Sequence, residues 1–193
     1  RGLGEPLLGQ PDAEVAGGWY LAVNHEVPGG GGGVSSIRFA PDGTVVGAGS
    51  ICADTSQNCA GGATPWGTWL TCEEWDGGHV WECDPTGAQP ARRRSAMGAF
   101  AHEAAALAGD GCWYLPEDRP DGGFYRFTPV APGDLSEGLL EIATGSAPGA
   151  ITWVEVPDPV PAALETPCRR QVPGSVAFDG GEGVATDGAL VWF

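Results

Sequence analysis

The chain has 193 residues, enough for one domain with a sizeable core. Charged residues make up only 18%, and 33 Gly and 17 Pro stand beside eight Trp, which excludes charge-driven disorder and suits short strands joined by tight turns. A formal net charge of −16 with no Lys counts against a nucleic-acid partner and favours hard cations, which take carboxylate oxygens.

The first apolar run, Trp19–Val23, reads as a strand and ends in Asn24-His25-Glu26, which offers an amide oxygen, an imidazole and a carboxylate. The Gly29–Gly33 run that follows lacks the Lys-Ser/Thr and the helix of a phosphate-binding fingerprint, so it reads as a flexible loop. Val34–Phe39 leads through Pro41-Asp42-Gly43 into Thr44–Val46. Asp-Gly between apolar runs is a strong hairpin signal, because Gly takes the positive φ such turns need. Thr68–Thr71 and His79–Glu82 follow as strands, with His79 expected at the surface and Arg92-Arg93-Arg94 expected as a solvated loop. Phe100–Ala108 is Ala-rich, but its length and the Gly109-Asp110-Gly111 turn favour a buried strand that returns through Cys112–Leu115. Gly123–Thr128, Leu139–Ala143 and Ile151–Val156 complete that group, and Pro157–Pro173 reads as a surface connection. Ser175–Phe178 and Gly183–Ala185 precede Asp187-Gly188 and the closing apolar run to Phe193.

The expected class is therefore all-β, a sandwich, a barrel or a set of propeller blades, with about three blades at the usual ~40–50 residues each. The chain begins at Arg1 rather than Met and stops inside an apolar run, so it reads as part of one domain, truncated at both ends. No apolar run approaches the ~20 residues that cross a bilayer, and no membrane partner is expected. The six Cys form no Cys-x-x-Cys pair, which gives a structural zinc site little support, while their even number permits disulfides.

The chemistry concentrates in Asn58–Glu74, where Cys59 and a glycine pair open a segment that closes on Glu73 and Glu74. Adjacent residues of a strand face opposite ways, so one of these two carboxylates reaches a given site. The glycines permit close backbone approach to a bound ion or ligand. Glu103 lies in an apolar run, where a carboxylate needs a partner or a metal. Glu117 precedes Asp118-Arg119, and Glu182 lies in a Gly-rich turn. Each of these carboxylates recurs at a similar place in a hairpin unit, so closed blades would gather them around one channel. Oxygen ligands suit calcium, and a thiolate among them admits iron.

Together these segments resemble the PhoX family of bacterial alkaline phosphatases and their shorter relatives. The resemblance runs from Trp19 to Phe193 through Val23–Glu26, Asn58–Glu74, Ala96–Glu103, Tyr114–Arg119, Gly122–Phe127 and Glu182–Val184, in family order. Asn24-His25-Glu26 is closer to the shorter relatives, and Pro116 stands where the family often has Thr. The resemblance implies a six-bladed β-propeller, here incomplete, with Fe3+ and Ca2+ clustered in its channel. It implies Cys59 as thiolate ligand to iron, and Glu73 or Glu74, Glu103, Glu117 and Glu182 as carboxylate ligands. Asn24 and Glu26 are further candidate metal ligands, and Arg119 is the residue expected to hold the phosphate. The implied activity is hydrolysis of small phosphate monoesters by an exported protein, periplasmic or extracellular, monomeric when complete. Two alternatives stand beside it: a noncatalytic propeller stabilised by calcium, and a phosphoesterase acting on diesters or phytate.

Overall fold

The computed structural model describes residues 17–163 and 165–193. The expected truncation at Arg1, and Leu164 within the Pro157–Pro173 stretch, lie outside the described residues.

The fold is all-β and is built of antiparallel meanders taken in chain order. Strands β1 (Trp19–His25), β2 (Gly32–Phe39) and β3 (Val45–Thr55) form the first sheet. Strands β4 (Asn58–Ala63), β5 (Trp69–Glu73), β6 (Val80–Cys83) and β7 (Arg92–Arg93) form the second. The third has five strands: β8 (Ala106–Leu107), β9 (Trp113–Pro116), β10 (Phe124–Ala131), β11 (Asp134–Gly145) and β12 (Ile151–Glu155). Strands β13 (Ala185–Thr186) and β14 (Val191–Trp192) pair alone. Among the described residues every strand pairs with its sequence neighbour within its sheet and no sheet closes on itself, an arrangement compatible with successive propeller blades. Among the described residues, helix is limited to one 3₁₀ turn, Ser95–Met97, and one α-helical turn, α1 (Cys168–Gln171). Among the described residues no helix is long and apolar enough to cross a membrane.

The Asp-Gly turns have a local cause. Asp42 Oδ1 accepts from the Thr44 amide at 2.9 Å and Asp110 Oδ1 from the Cys112 amide at 3.0 Å, while Gly43 and Gly111 take φ of +85° and +82°.

The main core draws on the second and third sheets: Leu70, Cys72 and Val80 pack with Phe100, Trp113, Leu115, Tyr125 and Phe127. Between the first and second sheets lies a smaller core of Val34, Ile51, Cys52 and Cys83, flanked by Trp69 and Trp81. Tyr114, Phe124 and Ala143 form a third core on the other face of the third sheet, covered by Trp153 and Phe178.

Four expectations are corrected. Of Phe100–Ala108, only Ala106–Leu107 is strand; residues 99–105 are buried but irregular, because their amides are directed to several different elements. Ala99 donates to Pro159 O at 2.8 Å, Phe100 to Gly78 O at 3.0 Å, His102 to Glu73 O at 3.1 Å and Ala105 to Gly61 O at 3.3 Å. His79 is buried, not superficial, because it follows the turn that brings its amide onto Glu73. The Arg run is not a loop: Arg92 and Arg93, though exposed, form β7 against β6, and Arg94 turns inward to pair with Glu82, its Nε 2.8 Å from Oε2. The Pro157–Pro173 stretch runs partly inward: Cys168 and Val172 are buried in the main core, and Arg169 reaches the interior.

Candidate metal centre

Asn24, at the end of β1, sets the position of Cys59. Its Nδ2 donates to the carbonyls of Cys59 and Ala60, the second at 2.7 Å, and its Oδ1 accepts from Trp69 Nε1 at 3.0 Å. Both ends of the amide are thus engaged with protein, and its role is to pin β4.

The two glycines after Ala60 complete the arrangement. A Cβ on Gly61 would collide with the Leu70 carbonyl, and one on Gly62 with the Ala105 carbonyl. Gly61 also has a φ of +144°. The close approach anticipated for a ligand is made here by protein backbone: the missing side chain lets the irregular 99–105 segment lie against β4. That segment carries Glu103, and Cys59 Sγ–H donates to Glu103 Oε1 at 3.2 Å.

Glu26, Cys59 and Glu74 each offer one ligand atom, all within 4.8 Å of one another. Glu74 also contacts the Asp118 carboxyl, and Glu103 lies in the field of Glu182, Asp118 and Glu26. The group runs from exposed Glu26 and Glu182, through half-buried Cys59, Glu74 and Asp118, to buried Glu103, so it opens to solvent on one side. Among the described residues, none of these five carboxylates has an Arg or His ion-pair partner. The electrostatic consequences agree. Burial, contact with Asp118 and the charge of Glu103 push the Glu74 carboxyl up to about 7. Burial raises Glu103, opposed by the donated Cys59 thiol and reinforced by Glu182. Burial, and then Glu103, push the Cys59 thiol up. A cation would reverse each of these penalties.

The remaining carboxylates are differently placed. Glu73 is buried and accepts from Ser56 N at 2.9 Å, His79 N at 3.1 Å and Trp81 Nε1 at 3.0 Å, so its oxygens are used in tying the β4–β6 sheet together. Glu117 is fully buried: Gly123 N and Tyr125 Oη donate to Oε2 at 2.9 and 2.8 Å, and Arg169 Nη1 lies 2.8 Å from Oε1. Burial raises its carboxyl even against those donors. Arg119 donates through Nε to Asp76 at 3.1 Å and through Nη1 to Asp118 O at 2.7 Å, which puts its guanidinium beside the cluster.

The structure thus gathers Glu26, Cys59, Glu74, Glu103 and Glu182, places Arg119 next to them, and assigns Asn24, Glu73 and Glu117 to hydrogen-bond networks around them. Asp118 and Arg169 are the functional positions that sequence reasoning missed. Asp118 was visible as the residue after Glu117, facing the opposite way along the chain. Arg169 had no local signal.

A sequence model of the family described as alkaline phosphatase PhoX matches residues 24–78 and 75–189. No curated protein and no solved structure gives a significant match.

Proposed function

The chain belongs to the PhoX family of alkaline phosphatases, and on that premise we propose that it hydrolyses phosphate monoesters at a centre of ferric and calcium ions in a β-propeller channel. The observation that carries the reading is the half-buried Cys59 thiol beside the Glu26, Glu74 and Glu103 carboxylates, with Asp118 and Glu182 acting on that group and no cationic ion-pair partner for any of the five among the described residues. Such a group is costly when empty, and its donor set fits the ions: the thiolate and buried Glu103 suit iron, while Glu26, Glu74, Asp118 and Glu182 suit calcium. Bound there, the ions would supply Lewis acidity toward phosphoryl oxygens.

The chain's own residues have distinct parts in this reading. Asn24 fixes the backbone that carries Cys59. Glu73 and Glu117 hold the strands from which Glu74 and Asp118 extend. Arg119 has Nε and Nη1 engaged with protein, which leaves Nη2 to donate to an ester's phosphate oxygen. An exported address, periplasmic or extracellular, and a small phosphate ester as partner belong to the same reading.

The test is to load the purified full chain with Fe3+ and Ca2+, measure bound metal by mass spectrometry, and assay a chromogenic phosphate monoester. Both metals should bind, hydrolysis should follow, and Cys59→Ala should remove the iron and the activity together. Absence of bound iron, or activity indifferent to Cys59→Ala, overturns the reading. Calcium-dependent melting without hydrolysis indicates the noncatalytic alternative, and preference for diesters or phytate in a substrate panel indicates the other.

A further inference from the structure

The second sheet has two ends. At one, β4 begins and β5 finishes beside the metal centre, with Asn58 opposite Glu73. At the other, β5 begins and β6 finishes, with Trp69 opposite both Ala63 and Cys83. That second end borders a cleft of about 460 Å³ whose walls include Trp66, Glu82, Asp84, Gln89, Arg92 and Arg94. None of these residues belongs to the metal centre.

Which groups of the cleft are free decides what it can hold. Glu82 is buried and already accepts four bonds: from Trp66 Nε1 at 2.7 Å and Thr68 Oγ1 at 2.6 Å on Oε1, and from Arg94 Nε at 2.8 Å and Nη2 on Oε2. Asp84 closes its own turn. Its Oδ1 accepts from Thr86 N at 2.8 Å and Thr86 Oγ1 at 2.7 Å, and its Oδ2 from Gln89 N at 3.1 Å. Both acids are thus engaged by protein, and the groups left over are donors. Among the described residues, Arg92 is exposed and has no ion-pair partner, and Arg94 binds Glu82 through Nε and Nη2, which leaves Nη1. Asp134, at the start of β11, lies in the field of both guanidiniums without pairing with either. In a chain of net charge −16, this corner is a local exception that can draw an anion in.

Trp66 supplies the apolar wall. Glu82 anchors its indole N–H, and its ring meets Trp113 edge-on, with centroids 6.1 Å apart at 74°. It is nevertheless 38% exposed. An aromatic plane held so firmly costs little further ordering when a ligand lies on it.

We propose that this cleft binds a pyranose sugar carrying an anionic group, a carboxylate or a sulfate. The C–H face of the sugar would rest on Trp66, and Arg92 would donate a forked pair of bonds to the anion. Sugar hydroxyl oxygens would accept from Arg94 Nη1 and the Gln89 side-chain amide. A neutral sugar would leave the Arg92 charge unused. A flat aromatic anion would meet polar walls on every side but one. Glu82 serves as a positioning residue, since it orients both Trp66 and Arg94.

The experiment is calorimetric titration of the full chain with glucuronate, glucose 6-sulfate, glucose and benzoate. Both anionic sugars should bind at least about tenfold more tightly than glucose or benzoate, the size of one charge-assisted bond pair. Arg92→Gln alters an exposed side chain and should erase most of that preference, while Trp66→Ala should weaken both anionic sugars and glucose. Metal binding should be the same in Arg92→Gln and the unaltered chain, so the outcome here is separate from that at the metal centre. Absence of binding by either anionic sugar, glucose or benzoate binding as tightly as they do, or affinity unchanged by Arg92→Gln overturns the proposal. If Trp66→Ala does not fold, the ligand panel and Arg92→Gln decide by themselves.

Discussion

The Cys59 thiol and the Glu103 carboxylate meet at 3.2 Å although 44 positions separate them in sequence. Neither residue lies where regular sheet pairing would bring them together. Cys59 is in a strand with a shifted register, and Glu103 follows His102, whose single bridge to Glu117 does not extend into a ladder. Their encounter depends on the glycines that let the two backbones touch.

That dependence is tested by Gly62→Ala. The added methyl would strike the Ala105 carbonyl, a backbone atom that cannot turn aside. Overpacking of this kind costs roughly 1–3 kcal/mol, and the displaced segment would carry Glu103 away from Cys59. Thermal unfolding should shift down by several degrees, and iron affinity should fall more than tenfold in titration.

Asn24→Ala removes two donated bonds to the Cys59 and Ala60 carbonyls and leaves the Trp69 indole N–H without its acceptor. An unsatisfied polar group costs about 1–3 kcal/mol. Denaturant unfolding should show a loss of that size, together with weakened metal binding, although Asn24 need not touch the metal.

Glu74 gives a pH signature. Its carboxyl is raised from 4.5 to about 7 in the folded chain. The folded state therefore holds a proton that the unfolded chain has released, so metal-free stability falls as pH rises from about 4.5 to about 7. Glu74→Gln should flatten this slope by the Glu74 share, leaving the smaller part that the raised Glu103 and Glu117 contribute. Since the side chain is only half-buried and solvent screens it, the gain above pH 7 should be modest, roughly 0.5–1 kcal/mol, or a few degrees in melting temperature. With calcium present the order should reverse, because the variant has lost a ligand oxygen. Melting curves of both proteins at pH 5 and 8, with and without calcium, check this.

Arg169→Met leaves the fully buried Glu117 with the Gly123 and Tyr125 hydrogen bonds to Oε2 but without its counter-charge and without the donor to Oε1. Breaking a buried pair from one side costs about 3–5 kcal/mol. Adding Glu117→Gln to the same chain should recover part of that loss, a coupling that a double-mutant cycle measures directly.

The sequence made the hairpins legible because Asp-Gly turns are written locally. Pro41-Asp42-Gly43, Gly109-Asp110-Gly111 and Asp187-Gly188 each sit between paired strands. It also marked out the cluster's thiolate and most of its acids, although they lie far apart in the chain: Cys59 and Glu74 bound one segment, Glu103 is a carboxylate inside an apolar run, and Glu182 stands in a Gly-rich turn. Arg169 stayed hidden because its partner is 52 positions away, and Phe100–Ala105 read as strand because burial looks the same whether backbone bonds go to one neighbour or to several. Glu73 and Glu74 show the same limit. Alternation separates the two, but only the His79 and Trp81 N–H groups, delivered by the next strand, reveal which one is inward.

Residues 99–105 lean on β4, on β5, on the turn before β6 and on the Pro159 carbonyl all at once. A strand can slip along a single neighbour, whereas a stretch tethered to so many must shift with all of them. Occupancy at Glu103 and the integrity of the whole assembly are therefore linked quantities: each ion bound should slow amide exchange throughout this stretch, and any lesion that loosens a distant sheet should be read out as weaker grip on the ion.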